Sequence, residues 1–366
     1  MRRTGIAVAL LARASAAAAG ALAAEDPQTV LRDWMGRHGA QSAVLAAARD
    51  DRLLLEAGIG TPADQVVPLA SLSKAITATC VGRLVGEGRL RLDGKLRDTL
   101  ARFFAKHGQP ADGRVLDVTI AQLLGHRAGF GEGARESIGP TLLAHLQTTS
   151  AREPAVELLL ARALRLNLGS APGETYRYSN VGYLVLGVVA AEAAGAPYEA
   201  ACRQRALEPL GVKAATLTPG WRVMSSFGGW SLAARDYLAF FRVMGPMGDA
   251  VLPAAVRAWR DDPAGKSQVG GWFYSLGVQV RAGERGRTYT HTGSWSWQSK
   301  DADGALRESY ATYARRLPDG LSWFVYYRPM AKDNDAARNE LARALEPALR
   351  GMTRWPLDRP MPKAAS

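Results

Sequence analysis

Apolar positions alternate with polar ones near both ends of the chain, and helical spacing fills the middle. Ala43 to Ala48 and Leu53 to Gly58 are mainly apolar runs around Arg49-Asp50-Asp51-Arg52, which predicts a β-hairpin. Ser71 to Glu87 is apolar on nearly every side and predicts a buried helix, with Gly88 as its stop. From Leu90 to about Pro219 the pattern is one of helices and loops, among them Pro154 to Leu166 and Val181 to Ala194. Ser231 to Met244 predicts another helix, with Ser231 as its N-cap. Alternation then returns in Trp272 to Val280, Arg287 to His291, Leu306 to Tyr313 and Leu321 to Tyr327, which predicts antiparallel strands. Asn334 to Leu349 reads as an amphipathic helix, and Trp355 to Ser366 as a Pro-rich tail.

Strands at both ends with helices between them predict an α/β (α+β) fold. An antiparallel sheet built from both chain ends is flanked by helices and carries a mainly helical inserted region. The expected division is a signal peptide over 1–23, a sheet region over 24–88 and 245–350, a helical region over 89–244 and a tail over 351–366.

Composition narrows the function classes. The 366 residues are 47% hydrophobic and 22% charged, an ordinary globular balance that excludes disorder, collagen and coiled coil. The body has no apolar run of about 18 residues, so a membrane-spanning bundle is excluded. Arg2 and Arg3, the apolar Ile6 to Leu11, the Ala-rich run to Ala24 and Ala21-Leu22-Ala23 together predict a secretory signal peptide. A periplasmic or secreted location follows. The net charge of +12 becomes +9 once residues 1–23 leave with three arginines and no acids. The basic residues are scattered singly, without a nucleic-acid motif, so no nucleic-acid partner is expected. Cys80 and Cys202 rule out a disulfide scaffold and a four-thiolate metal site. Export permits a bridge between them, but both lie in helical patterns and are expected as two buried free thiols.

Ser71-Leu72-Ser73-Lys74 is the sharpest local feature. Positions i and i+3 share a helix face, so Ser71 and Lys74 project together from a helix with few other polar groups. A partly desolvated lysine accepts a proton more readily, and a hydroxyl beside it becomes an activated nucleophile. The N–H of Ser71 falls among the unpaired donors of a helix start, useful against an oxyanion. Alone, the same four residues also read as a helix cap with a surface lysine. Tyr178-Ser179-Asn180 follows the turn signal Pro172-Gly173, and Tyr178 and Asn180 project to one side of an extended loop. His291-Thr292-Gly293-Ser294 ends a predicted strand, where glycine lets a ligand backbone approach.

Taken in order, the three elements resemble those of the serine β-lactamase and penicillin-binding-protein superfamily: Ser-x-x-Lys, Tyr-x-Asn, then Lys-Thr-Gly or His-Thr-Gly. Leu123 to Phe130, Pro172 to Gly187 and Gly228 to Asp236 are similar to further segments of that family, so the likeness runs from about Asp26 to Leu349. Class C β-lactamases, D-alanyl-D-alanine carboxypeptidases and family esterases are the branches most alike in motif. The resemblance implies Ser71 as the acylated nucleophile, Lys74 as its proton acceptor and Tyr178 as general acid/base. It implies that Asn180 binds the substrate amide and holds Lys74. His291 would polarise Tyr178 or meet a substrate carboxylate, which Thr292 would also bind. The N–H groups of Ser71 and Ser294, beside Gly293, would form the oxyanion hole. His126 is expected to be structural. Trp295 and Trp297 would either narrow the site or pack under a loop.

The expected function is therefore an exported serine hydrolase working through an acyl-enzyme on amide, lactam or ester bonds, without metal or cofactor. The narrower alternatives are a D-alanyl-D-alanine carboxypeptidase or a carboxylesterase. A silent binding protein on the same fold is the rival from outside the enzymes. No Gly-x-Ser-x-Gly elbow occurs, which sets aside an α/β-hydrolase triad. The five histidines lack metal-ligand spacing.

Overall fold

A computed structural model of the chain describes residues 25–131, 153–218, 221–266, 268–301 and 304–362; the expected signal peptide lies outside them. The first hairpin forms around Asp50 as foreseen, from β1 (Ser42–Arg49) and β2 (Arg52–Ile59). The remaining strands are β3 (Val67–Pro68), β4 (Thr216–Leu217), β5 (Trp230–Leu232), β6 (Gln268–Val269), β7 (Trp272–Ser275), β8 (Val278–Gly283), β9 (Gly286–Asp301), β10 (Gly304–Arg316), β11 (Leu321–Arg328) and β12 (Arg359–Pro360). Nine form one sheet in the order β12-β2-β1-β11-β10-β9-β8-β7-β6, and β3-β5-β4 form a small second one. All the pairings are antiparallel, and β1 lies between β2 and β11, so the two ends of the chain do meet in one sheet.

Both faces of the sheet are covered at β1, which is why that strand is almost continuously apolar. Ala43, Leu45 and Ala47 face an outer layer made of α1 (Pro27–His38) and the long C-terminal helix. Val44, Ala46 and Ala48 face the inner layer. That layer holds α2 (Ser73–Gly86), α3 (Glu153–Ala163), α4 (Asn180–Ala194), α5 (Tyr198–Cys202) and α6 (Ala234–Phe241). The C-terminal helix is α7 (Asn334–Gly351), and Trp34 Nε1 of α1 donates to its Ala337 carbonyl over 2.8 Å. The apolar pattern did not mark α1, yet its ends are written in the chain. Asp26 accepts from the Thr29 N–H, Pro27 opens the helix, and Gly39 closes it at φ 73°.

Four expectations need revision. Ser231 is not a helix N-cap; it lies in β5, whose backbone is paired by β3 and β4, and its Oγ meets Thr218 Oγ1 at 2.7 Å. The helix begins at Ala234 after an N-cap, Ala233, that has no side chain to contribute. Trp272 to Val280 is two strands rather than one, because Leu276 (φ 49°) and Gly277 (φ 78°) turn the chain back. A Cβ on Gly277 would lie 2.6 Å from the Lys74 carbonyl oxygen, so this turn presses its backbone onto α2. The Pro-rich tail folds back, with Arg359–Pro360 pairing with β2 and Met361 buried. Finally, Cys80 and Cys202 are not free thiols; they form a disulfide with Cα atoms 5.0 Å apart, spanning 122 residues. Both lie in buried helical segments, as their pattern indicated, but α5 ends against the middle of α2, a tertiary contact that helical periodicity does not encode.

Candidate active site

Ala70–Leu72 form a single 3₁₀ turn that leads into α2, with Ala70 held at φ 48° immediately before Ser71. A positive φ is costly for alanine, so the surroundings must impose it. They do so from β9 and β10. Thr312 Oγ1 donates to the Leu69 carbonyl over 2.9 Å, and the Gly293 backbone lies directly under the turn. A Cβ on Gly293 would overlap Thr312 Oγ1 and stand 2.5 Å from the Leu69 oxygen. The glycine of His-Thr-Gly therefore sets how closely Ser71 sits on the sheet.

The two serines of Ser-Leu-Ser-Lys diverge. Ser73 is fully buried and its Oγ accepts the Trp230 N–H at 3.1 Å, anchoring β5. Ser71 is half-buried and meets Lys74. The Lys74 ammonium nitrogen, wholly inaccessible to solvent, lies 3.1 Å from Ser71 Oγ, 2.8 Å from Asn180 Oδ1 and 2.9 Å from the Phe227 carbonyl. It also stands 4.8 Å from the centre of the Tyr178 ring. Tyr178 is 38% exposed, so it lines the open side of the cleft.

His126 places the Tyr-Ser-Asn segment. It is buried at φ 54°; its Nδ1 accepts the Ser179 N–H at 3.2 Å, and its carbonyl accepts the Arg177 N–H at 2.9 Å. Ser179 caps α4 by accepting from the Gly182 N–H, which turns Asn180 toward Lys74. His126 is thus structural, as the sequence suggested, and carries the loop that bears Tyr178.

His291 lies beside Tyr178, with ring centres 6.2 Å apart. It is 4% exposed. Its Nδ1 lies 2.6 Å from the Thr292 carbonyl oxygen, and a carbonyl only accepts, so Nδ1 carries the proton. Nε2 then accepts from the buried Tyr274 hydroxyl at 2.8 Å. Burial, with Lys74 as second cause, pushes the imidazole down to about 3. Burial and then Lys74 also hold His126 well below its ordinary value. Both rings are neutral with their lone pairs engaged, and neither ring nitrogen of His291 is open to a substrate carboxylate. Thr292, Gly293 and Ser294 follow on β9, which pairs with β8 only as far as Thr290 but with β10 out to Asp301. One edge of β9 beside Ser71 is therefore unpaired by β8. Trp295 packs with Trp221, ring centres 5.5 Å apart.

Two participants were not found from sequence. The Phe227 carbonyl reaches Lys74 from the Ser225-Ser226-Phe227-Gly228-Gly229 stretch, whose small residues were the available signal. Tyr274 lies in β7 on an alternating position that read only as core.

The buried histidines make stability pH-dependent. An unfolded imidazole takes up a proton below its ordinary value of 6.5, whereas folded His291 refuses one until about 3. The unfolded state then binds more protons, so stability falls as pH drops through this window. A His291→Gln variant should lose less Tm than the parent between those two values. An equal loss would mean that the folded imidazole is already charged.

The profile of the β-lactamase family matches residues 27–302. Over 181 residues the chain is 34% identical to esterase EstB of Burkholderia gladioli, covering 49% of this chain and 44% of EstB. Over 156 residues it is 28% identical to the D-alanyl-D-alanine-carboxypeptidase/endopeptidase AmpH of Escherichia coli (strain K12), covering 43% of this chain and 38% of AmpH. The chain thus spans less than half the length of these relatives. A D-stereospecific amidohydrolase from Streptomyces sp. shares the fold, with a TM-score of 0.68 at 19% identity over 88% of this chain and 99% of that one.

Proposed function

Since the chain belongs to the β-lactamase family of hydrolases, we propose that it is an exported serine acyl hydrolase, acylated on Ser71, whose preferred substrates are esters. The observation that carries this reading is the 3.1 Å contact between Ser71 Oγ and Lys74 Nζ, an amine held from behind by Asn180 Oδ1 and the Phe227 carbonyl. These two acceptors fix the nitrogen within hydrogen-bond distance of Ser71 Oγ. A neutral amine there presents its lone pair to the serine proton. The neighbouring histidines have no free lone pair for that work.

In this mechanism Ser71 Oγ attacks the acyl carbon while its proton passes to Lys74, directly or through the Tyr178 hydroxyl. The N–H groups of Ser71 and Ser294 take the charge on the carbonyl oxygen. The proton returns to the leaving alkoxide as the C–O bond breaks, giving the acyl-enzyme and free alcohol. Tyr178, at the solvent side, then draws a proton from water as its own hydroxyl proton passes to Lys74; the water oxygen attacks the acyl carbon, and the bond to Ser71 Oγ breaks as Lys74 returns a proton to that oxygen, releasing the acid. The open edge of β9 supports an extended substrate lying along Thr292 to Ser294.

Esters are favoured over lactams or D,D-peptides because the strand offers no cation where a carboxylate would dock: His291 is buried and neutral. The likeness to esterase EstB agrees with this. Export is supported by the Cys80–Cys202 disulfide, which needs an oxidising compartment. Incubation with a fluorophosphonate followed by peptide mass spectrometry should place one adduct on Ser71, absent in Ser71→Ala. The parent should hydrolyse p-nitrophenyl butyrate and leave a fluorescent penicillin unbound. Rapid penicillin acylation would replace the ester reading, and an adduct elsewhere would end the Ser71 assignment.

A further inference from the structure

The outer face of the sheet, opposite Ser71, carries a second feature. Helix α7 buries one face against β1, β10 and β11 through residues such as Leu341, Leu345 and Leu349. It does not extend over β8 and β9. Asn339, Arg343, Glu346 and Arg350, spaced by four, three and four residues, form a polar stripe along its uncovered flank, about 16 Å long. Facing this stripe are the outward positions of the strands, Gln279 and Arg281 on β8 and Arg315 on β10. Two adjoining cavities of about 740 Å³ and about 320 Å³, sharing Arg281, Arg315 and Glu346, make this a continuous groove.

Five arginines and three carboxylates, Glu284, Asp319 and Glu346, line it, so its charges are not all spent. Arg315 and Glu346 pair at 2.8 Å in the floor, and Arg350 pairs with Asp319 at 2.9 Å at one end. Among the described residues, Arg281, Arg285 and Arg343 make no side-chain hydrogen bond or ion pair. Arg281 instead stacks over Trp272, 4.8 Å from the ring centre, which orients its guanidinium while leaving the N–H donors open. Planar guanidinium groups of this kind bind oxyanions in pairs of hydrogen bonds.

We propose that this groove is a non-catalytic binding site for a linear acidic glycan. Arg281, Arg285 and Arg343 would meet successive carboxylate or sulfate groups, and the amides of Gln279 and Asn339 would meet sugar hydroxyls. A nucleic acid fits less well. Its bases need exposed aromatic faces, and the groove's tryptophan, Trp272, is already covered by Arg281.

The test uses the full secreted chain and a heparin-derived hexasaccharide as probe, titrated calorimetrically at low ionic strength. Arg281→Glu with Arg343→Glu should weaken binding by about tenfold or more. Hydrolysis of p-nitrophenyl butyrate should stay within about twofold of the parent, since both residues lie across the sheet from Ser71. Arg91→Glu with Arg97→Glu, an equal change of net charge on the helical region, should leave hexasaccharide binding within about twofold. The neutral pair Arg281→Gln and Arg343→Gln repeats the test should the reversed charges disturb folding. No measurable binding by the parent overturns the proposal, and so does an equal loss in the Arg91/Arg97 control, which would reduce it to bulk charge. Displacement of the hexasaccharide by a thymidine oligonucleotide of comparable affinity would also overturn it, in favour of phosphodiester binding.

Discussion

Replacing Lys74 by methionine lowers kcat/KM for an activated ester by about 10³- to 10⁴-fold, the range for loss of a positioned proton acceptor next to its nucleophile. Methionine keeps much of the side-chain volume in a site with no solvent access. The substitution therefore removes the amine without opening a large cavity. It strands the buried Phe227 carbonyl, at a cost of about 1–3 kcal/mol in stability, and removes one partner of the half-buried Asn180. That cost is measured separately, by thermal unfolding, and does not account for the kinetic loss. Asn180→Ala should cost far less alone, about 10- to 100-fold, and nearly nothing more in a Lys74→Met background, because its effect runs through the amine. Activity within tenfold of the parent in Lys74→Met would show that the serine loses its proton to another group.

Loss of the Cys80–Cys202 bond has the largest expected effect on stability. The closed loop spans 122 residues, and restricting it in the unfolded chain is worth about 5 kcal/mol in the chain-entropy account. A protein with a total stability of about 5–15 kcal/mol feels that loss strongly. Cys80→Ala with Cys202→Ala should therefore lower the Tm by about 5–10 °C and steepen inactivation at body temperature. The initial rate of the folded fraction should stay near that of the parent, because Cys80 lies six residues beyond Lys74 on α2, about 9 Å along the helix. Thermal unfolding with and without dithiothreitol reads the same effect without mutation. A reductant-insensitive Tm would show that the thiols are unpaired.

The convergence of these side chains was legible in the chain because each motif stands where the backbone alone decides its direction. Ser71 and Lys74 share a helix face, Asn180 follows a serine N-cap, and Gly293 lies on a strand that must pass under Ser71. Other features depend on how elements meet, and periodicity is silent about that. His291 shares the inner face of β9 with Tyr289, and its contact with the Tyr274 hydroxyl depends on the tight turn at Leu276-Gly277, which splits one alternating run into two strands. The cysteines read correctly as buried and helical, but their pairing needed the contact between α2 and α5. Ser231 had the chemistry of a cap and was claimed instead by strand pairing on both sides.

The pressing of bare backbone against α2 and its leading turn at Gly277 and Gly293 has a practical consequence for redesign. Side chains at those two positions would wedge Ser71 away from its neighbours, so mutagenesis libraries aimed at new substrate ranges gain by freezing both. Diversity is better spent away from those glycines, for example at Trp221 and Trp295, whose rings pack together 5.5 Å apart.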